Sequence, residues 1–495
     1  MAIRTALLGG MLAGALLVGG CEERHSGPVR ISAIGGQPKL ANPNLTPLDP
    51  PSAAMILATA QGLVRFDAAG QIEPALAQSW IVSDDGLRYT FRLRRTNWNG
   101  DGKVTAEQVV ARLKAILSPA SRNPLKPLLL GSIQEIVAMT DEVLEISLVA
   151  PRPNFLQLLA QPEMGIIHAN SGAGPYHPVP SDGGVVSLHL PDEEEVADEA
   201  EAEAEADEDR HDTAVQLRGE RTALAVARFV REGADLVLGG TAGDLPIARA
   251  AELPGGALQF DPVAGLFGLS FGSREGPLGE ASVRRALDMA VDRAALVSAL
   301  GVPDLQPRET LLPPGIAELP QPAAPGWTAE PLPMRRTRAA QAIAAATGGE
   351  PLNIRVAMPD GPGYRLVFAH LRRDWRAIGV DAERVPPGTP RADLRLIDAV
   401  APVDLASWYL RQFSCAASAI CDASADEIMA AARIAPTPQN RQALLASADR
   451  VLTDLNPFIA LAAPVRWSLV SPRLTGFRPN RFGHHNISEL IAQER

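Results

Sequence analysis

The chain has very little lysine and few aromatic side chains. Arginine greatly outnumbers lysine, which we attribute to genome composition bias and give no functional weight. Its 495 residues include four lysines, and aromatic residues make up 4%. No basic stripe with interleaved aromatic residues occurs, which is the pattern expected of nucleic-acid binding. The formal net charge is −11, but residues 192–212 alone hold thirteen acids and one arginine, so the remainder is close to neutral. We therefore predict no nucleic-acid partner.

The sequence also lacks the common motifs of catalysis and cofactor binding. It contains no H-E-x-x-H, no phosphate-binding loop and no C-x-x-C. The stretch 268–272 matches the G-x-S-x-G of hydrolases, but that motif needs a helix after the serine, and loop-forming residues follow Ser270. A calcium-like loop at 97–108 lacks most of the acidic ligands. We predict no enzyme activity and no cofactor, with a serine hydrolase using Ser270 as an alternative.

Long apolar runs are missing except at the N-terminus. Arg4 precedes a short apolar stretch, Ala6–Val18, which is typical of a secretory signal and too short to span a membrane. The sequence LVGGC at 17–21 resembles a lipobox, which implies cleavage before Cys21 and a lipid on its thiol. We predict a lipoprotein signal peptide at 1–20, a tether at 21–29 and a periplasmic, lipid-anchored protein. An ordinary signal peptide with an incidental cysteine is the alternative.

Two further cysteines and one histidine pair are candidates for bonding or metal binding. Cys415 and Cys421 lie six residues apart in an oxidising compartment, so we predict a disulfide, with metal binding as the alternative. His484 and His485 could bind a metal, but a histidine pair is more often a polar surface feature. We predict no metal site.

The most informative stretch is 62–110. Leu87, Tyr89, Phe91 and Leu93 alternate with polar residues, as in a strand with one buried face. Turn-forming residues precede this strand. Thr105 is positioned to cap a helix whose apolar residues follow at helical spacing. The pattern predicts short strands and turns that lead into a helix.

This stretch resembles the signature region of bacterial extracellular solute-binding protein family 5, whose members are peptide, dipeptide, oligopeptide and nickel receptors of ABC importers. The matching segments are GLVRFD at 62–67, PALAQSW at 74–80, DDGLRYTFRLR at 84–94 and TAEQVV at 105–110. Two departures are Gln108, where the family usually has Asp, and one extra residue between Trp98 and Gly102. Similar family elements occur at 48–50, 172–176 and 475–480, and 283–297 matches a family helix.

The resemblance implies an α/β fold, the two-lobed periplasmic binding protein of type II, cluster C, with an extra subdomain inserted in the first lobe. We expect the first lobe to combine 30–50, 166–260 and 463–495, the inserted subdomain to span 51–165, and the second lobe to span 261–462. The acidic segment 192–212 has no apolar face, so we expect a disordered insertion between two strands of the first lobe. A segment that attracts a divalent cation or a cationic partner is the alternative.

The resemblance also implies a ligand site between the lobes. In the family a second-lobe carboxylate pairs with the ligand's amino group, but at the matching position this chain has Pro402. Asp398 or Asp404 could replace that acid. The candidate ligand-binding residues are Gly35, Gly36, Asp398, Ala399, Asp404, Trp408, Tyr409 and Trp467. For the aromatic residues among them, core packing is the alternative.

We predict a substrate-binding lipoprotein of an ABC importer that captures peptides or peptide-like solutes and delivers them to a membrane permease. Its partners would be the solute, the permease and ATPase complex, and the membrane through its lipid anchor. We expect a monomer. A same-fold receptor for a non-peptide ligand, such as a nickel chelate or an opine-like compound, is the alternative, and the low aromatic content and the displaced acid both favour keeping it.

Overall fold

A computed structural model describes residues 27–99, 102–152, 154–190 and 214–492. The predicted signal peptide, Cys21 and the acidic segment 192–212 lie outside these residues. In the described part of the chain, no helix is both long enough and apolar enough to cross a membrane.

The strands and helices are numbered in chain order over the described residues. The strands are β1 (Val29–Ile34), β2 (Val64–Phe66), β3 (Ile72–Pro74), β4 (Ala77–Val82), β5 (Arg88–Leu93), β6 (Ile133–Ala138), β7 (Val143–Leu148), β8 (His177–Ser181), β9 (Val185–His189), β10 (Val215–Glu220), β11 (Leu236–Thr241), β12 (Leu258–Asp261), β13 (Gly265–Phe271), β14 (Leu352–Ala357), β15 (Val380–Val385), β16 (Leu394–Val400), β17 (Phe458–Ala462), β18 (Arg466–Val470), β19 (Leu474–Thr475) and β20 (Ile491–Ala492). The helices are α1 (Pro50–Thr59), α2 (Ala106–Leu117), α3 (Lys126–Leu129), α4 (Phe155–Leu159), α5 (Thr222–Val230), α6 (Leu245–Arg249), α7 (Ala281–Met289), α8 (Arg293–Leu300), α9 (Leu332–Thr347), α10 (Pro362–Arg376), α11 (Ala406–Arg411), α12 (Ala423–Arg433) and α13 (Pro438–Leu455).

Two mixed sheets form the body of the molecule. A seven-stranded sheet has the order β12-β18-β11-β1-β10-β9-β8, and a five-stranded sheet has the order β15-β14-β16-β13-β17. In the first sheet β1 pairs in parallel with β10 and β11. In the second sheet β14 pairs in parallel with β15 and β16. We call the part built on the larger sheet the first lobe and the part built on the smaller sheet the second lobe.

The chain passes between the lobes twice, at 262–264 and at 463–465. The first passage joins β12 to β13, and the second joins β17 to β18. Strands β12 and β18 pair with each other in the first lobe, and β13 and β17 pair in the second, so the two passages run side by side. Two adjacent connecting segments are the arrangement expected of a hinge.

A separate antiparallel sheet, β4-β5-β7-β6, contains residues 77–82 and 88–93 of the signature stretch. In β5 the buried Tyr89, Phe91 and Leu93 alternate with more exposed neighbours, as the sequence predicted. Helix α2 covers this sheet. Its cap explains the departure at Gln108, whose side chain accepts hydrogen bonds from the Thr105 backbone (3.0 Å) and from the Trp98 indole (3.0 Å).

The structure differs from two sequence predictions. Helix α1 was placed in the inserted subdomain, but its buried Ala54, Met55 and Ala58 pack with the large sheet of the first lobe. The stretch 283–297 was predicted as one helix, but it forms α7 and α8. The helix is interrupted at Asp292, because its carboxylate caps α8 by accepting a hydrogen bond from the Ala295 backbone (3.0 Å).

Candidate ligand site between the lobes

Gly35 and Gly36 lie where β1 ends. The Gly36 amide donates to the Asp49 carboxylate (2.9 Å), which also caps α1 through the Ser52 amide (3.1 Å). Burial raises the pKa of Asp49, but the hydrogen bonds from Ser52 and Gly36 outweigh this effect and leave the pKa below its usual range. A Cβ at Gly35 would lie 2.6 Å from Pro51 Cδ, so the site excludes a side chain. Both glycines are exposed, but the Gly35 amide donates to the Glu220 carbonyl (3.1 Å), so both amides already have protein acceptors.

Asp398, on β16, is held by residues from both lobes. Its Oδ1 accepts from Arg466 Nη1 on the first-lobe strand β18 (2.7 Å), and its Oδ2 accepts from the Tyr364 hydroxyl on α10 (2.7 Å). Arg466 also donates to the Asp398 carbonyl (3.1 Å). Burial raises the pKa of Tyr364, and the negative charge of Asp398 raises it further, so this hydroxyl is a donor at neutral pH.

These contacts change the expectation for Asp398. Its side chain is 9% exposed and both oxygens are occupied by protein donors, so in this structure it links the lobes and is not open to a ligand amine. Its neighbour Ala399 lies on the same strand, and its carbonyl oxygen would be 2.0 Å from a Cβ at Gly265. Ala399 therefore packs against the start of β13.

Asp404 is the more accessible of the two candidate acids. Its carboxylate accepts from Arg481 (2.8 Å), and the exposed side-chain fractions are 47% for Arg481 and 24% for Asp404. An exposed pair of this kind is weak and can exchange partners. The backbone around Asp404 is fixed more firmly, because Gln161 donates to the Pro402 carbonyl (2.6 Å) and Asn154 donates to the Asp404 carbonyl (3.3 Å).

The three candidate aromatic residues are all buried. Trp408 and Tyr409 on α11 form an edge-to-face pair with ring centroids 4.8 Å apart, and they are 8% and 0% exposed. Trp467 is 1% exposed and donates its indole N–H to the Thr241 carbonyl (2.9 Å). Its ring lies so close to Gly240 that a Cβ there would be 2.2 Å away. Trp467 therefore packs in the core and does not line a pocket.

The cysteine and histidine candidates are bonded to, or buried among, other residues of the protein. Cys415 and Cys421 form a disulfide. His485 lies 3.2 Å from the Asp261 carboxylate and stacks on Phe477, beside the first passage between the lobes. Burial lowers the pKa of His484 to about 4. In the described part of the chain, no three or more His, Cys, Asp or Glu side chains come together as metal ligands would.

Ser270 does not form a nucleophile elbow. It lies inside β13, which pairs with β16 on one side and β17 on the other, and its hydroxyl donates to the Arg395 carbonyl (3.4 Å). An elbow places the serine on a sharp turn between a strand and a helix. The geometry around Ser270 is that of a continuous strand.

The site therefore has two parts. Arg466 and Arg481, which follow the second passage in the chain, pair with Asp398 and Asp404 of the second-lobe stretch 398–404. Gly35 and Gly36 instead contact Asp49 and Pro51. Sequence reasoning missed Arg466, Tyr364 and Arg481. Arg466 stands next to the recognisable Trp467, but no pattern in the sequence connects it with Asp398.

Two α/β lobes joined by two adjacent segments, with an inserted antiparallel subdomain, define a two-lobed binding protein. The model of "Bacterial extracellular solute-binding proteins, family 5 Middle" matches residues 71–211 and 220–408. That match covers more than half of the chain, and the chain belongs to this family. The resemblance inferred from the signature stretch is thereby confirmed, as is the fold class.

Known relatives support the same placement. The probable deoxycholate-binding periplasmic protein YgiS of Escherichia coli (strain K12) is 27% identical over 296 residues, which are 54% of this chain and 53% of YgiS. The chain thus matches about half the length of this relative. OppA of Haemophilus influenzae in complex with RPPGFSPFR superposes with a TM-score of 0.79 at 17% identity, covering 94% of this chain and 99% of OppA. AgaA of A. tumefaciens R10 in complex with agropinic acid gives a TM-score of 0.71 at 18% identity, covering 95% and 99%. At these sequence identities, the two structural matches establish the fold alone.

Proposed function

We propose that this chain is the substrate-binding lipoprotein of an ABC importer and captures a peptide or peptide-like solute between its lobes. The observation that carries the proposal is the hinged architecture, in which two adjacent segments, 262–264 and 463–465, join a lobe on the seven-stranded sheet to a lobe on the five-stranded sheet. Extended peptides are held by backbone hydrogen bonds on two sides in this type of recognition. Closure of the lobes then encloses the solute for delivery to a permease.

The proposed division is a first lobe on the seven-stranded sheet, a second lobe on the five-stranded sheet and an inserted subdomain that begins after α1. Cys21 would carry the lipid that anchors a periplasmic monomer to the membrane. Replacing Cys21 with serine should release the protein from the membrane fraction and abolish its labelling by a radioactive fatty acid. Membrane association and labelling that persist in Cys21→Ser would reject the anchor.

A specific observation favours the second candidate, a receptor for a non-peptide solute. Asp398, a candidate partner for a peptide's amino group, is already paired with Arg466 and Tyr364. Of the two acids considered, Asp404 is left as the more accessible one, and its pairing with Arg481 is weak. A solute without an α-amine would not need either carboxylate.

A thermal-shift screen separates the two candidates. The full chain is heated with tripeptides, pentapeptides, nickel–histidine and small organic acids, each at millimolar concentration. A bound solute raises the melting temperature by mass action. A rise with peptides supports the first candidate. A rise with the other compounds alone supports the second, and peptide binding is then abandoned.

A further inference from the structure

A cavity of about 300 Å³ lies between helix α2 and the loop that joins β1 to α1. Its walls come from three segments within 40–44, 112–116 and 163–170. None of these segments belongs to the second lobe, and none contains a candidate residue of the solute site. The volume is within the range of small-molecule sites. The cavity is therefore a second place where this chain has room for a ligand.

Glu163 gives this cavity a carboxylate without a counter-charge. The residue is half-buried, and among the described residues its carboxylate has no ion pair or hydrogen bond to any residue except its own backbone amide. Its backbone is fixed, because its carbonyl accepts from the Asn123 side-chain amide (2.8 Å). Burial raises the pKa of the Glu163 carboxyl. Negative charge at this position is costly until a cation joins it.

Arg112 lines the same cavity but leaves Glu163 unpaired. Arg112 is exposed on α2, and its Nη2 lies 3.3 Å from His168 Nδ1. No positive charge of the described residues, that of Arg112 included, opposes the rise in the pKa of Glu163. The counter-charge that Glu163 lacks must therefore come from a ligand.

The rest of the wall is largely apolar. Leu113 and Ile116 of α2 line the cavity together with Met164 and Ile166, and all four are buried. Apolar walls with a few polar groups are typical of sites for small organic molecules. Such a wall beside one carboxylate fits a ligand with a positively charged end and an apolar body.

A metal ion fits the cavity less well than an organic cation. Calcium takes six to eight oxygen ligands, whereas no three His, Cys, Asp or Glu side chains meet in the ranges that the structure describes. The Asn44 side-chain oxygen already accepts from the Ser121 hydroxyl (3.4 Å) and the Asn123 amide (3.1 Å). A single carboxylate is sufficient for an ammonium group.

We propose that this cavity binds a small primary amine, with its ammonium group on Glu163 and its apolar body against Leu113 and Met164. A hydrogen bond between two charged groups is about twice as strong as one between neutral groups. The amine is distinct from the solute captured between the lobes, because the cavity shares no residue with that site. Its binding would hold the loop before α1, helix α2 and the stretch 163–170 together.

Thermal melting and calorimetry of the full chain test the inference with isoamylamine as the probe. Isoamyl alcohol is the neutral control and calcium chloride the metal control, each at millimolar concentration. We expect isoamylamine alone to raise the melting temperature. Its affinity should fall at least about tenfold in Glu163→Gln. Glu107→Gln is the matched control, since Glu107 is exposed on α2 outside the cavity, and it should bind as the wild type does.

Two further measurements exclude a loss of binding through misfolding. Without amine, Glu163→Gln should melt at the same or a higher temperature than the wild type, because it removes an uncompensated charge. Ala115→Phe fills the cavity and leaves Glu163 in place, and it too should lose isoamylamine binding while its circular dichroism spectrum stays that of the wild type.

Several results would overturn the inference. Isoamylamine that does not bind the wild type, or that binds the wild type and Glu163→Gln equally, rejects the amine site. Equal weakening in Glu163→Gln and Glu107→Gln would show a general charge effect. Stabilisation by calcium that disappears in Glu163→Gln would replace the amine with a metal. Each of these results leaves the capture of a solute between the lobes untouched.

Discussion

Arg466 and Asp398 join the two lobes directly. Arg466 Nη1 lies 2.7 Å from Asp398 Oδ1, and Arg466 Nη2 lies 3.1 Å from the Asp398 carbonyl. One residue follows the second passage between the lobes, and the other lies on β16 of the second lobe. The pair therefore stands beside the hinge and links the two lobes there.

Breaking this pair should destabilise the protein more than breaking an exposed one. In Arg466→Met the Asp398 carboxylate, 9% exposed, keeps only Tyr364 as a donor. We expect the free energy of unfolding to fall by about 1.5–3 kcal/mol, measured by urea titration. The double variant Asp398→Asn/Arg466→Met should recover part of this loss.

The control for that measurement is Arg95, which pairs with Glu142 while 69% exposed. Arg95→Met should cost less than about 1 kcal/mol. Equal losses of unfolding free energy in Arg466→Met and Arg95→Met would show that the contact between the lobes stabilises the protein no more than an exposed ion pair does.

Asp449 gives a prediction for pH. Its carboxyl is 0% exposed, accepts from the Ala323 amide (2.6 Å), and has a pKa that burial raises to about 6. The unfolded value is about 3.9, so the folded state holds an extra proton between these two values. The contribution to stability is therefore full below about pH 4 and is lost as the pH rises through 6.

The comparison is with Asp449→Asn, which cannot titrate. Urea unfolding from pH 4 to pH 7 should show the wild type losing up to about 3 kcal/mol relative to this variant. Parallel pH profiles for the two proteins would contradict the assignment.

Gly219, on β10, packs directly against the Gly35–Gly36 corner. A Cβ at Gly219 would lie 1.5 Å from the Gly36 carbonyl oxygen, so Gly219→Ala must push this corner out of place. We expect a loss of about 1–3 kcal/mol in stability and weaker binding of the solute. Gly255→Ala, where nothing lies within 4 Å of the new Cβ, should change neither property. Unchanged binding in Gly219→Ala would remove the corner from the ligand site.

Ser270 should be chemically inert, because it lies inside a paired strand. Treatment of the full chain with a serine-reactive fluorophosphonate should leave it unlabelled, and peptide mass mapping checks this. Labelling of Ser270 that disappears in Ser270→Ala would revive the hydrolase alternative.

The sequence predicted architecture better than the site, for physical reasons. The alternation of residues such as Tyr89 and Phe91 indicates a half-buried strand, and Thr105 indicates a helix cap. Both patterns lie within short segments, so the sequence alone is enough to recognise the family signature. The contact between Asp398 and Arg466 joins residues 68 positions apart, and no local pattern records it. Arg308 is 6% exposed although it stands in a proline-rich stretch of the sequence, where an isolated arginine gives no sign that it will be buried.

The break between α7 and α8 shows the same limit. The apolar spacing of 283–297 fits one helix, but the carboxylate of Asp292 caps a new helix, and Arg293 turns back to pair with the buried Asp288. Burial raises the pKa of Asp288 to about 6, with Arg293 opposing the shift. The Asp292 amide also donates to the Asp374 carboxylate on α10 (2.8 Å), and Arg293 Nε donates to the Ala460 carbonyl on β17 (2.7 Å), so tertiary contacts override helical periodicity at this point.

Capture of a solute between the lobes is the central claim, and native mass spectrometry of the full chain isolated from its own periplasm tests it most directly. We expect a population heavier than the chain by the mass of one small solute, whose fragmentation identifies it as a peptide or as a non-peptide compound. A chain that carries no solute in any gentle preparation would contradict the proposed capture.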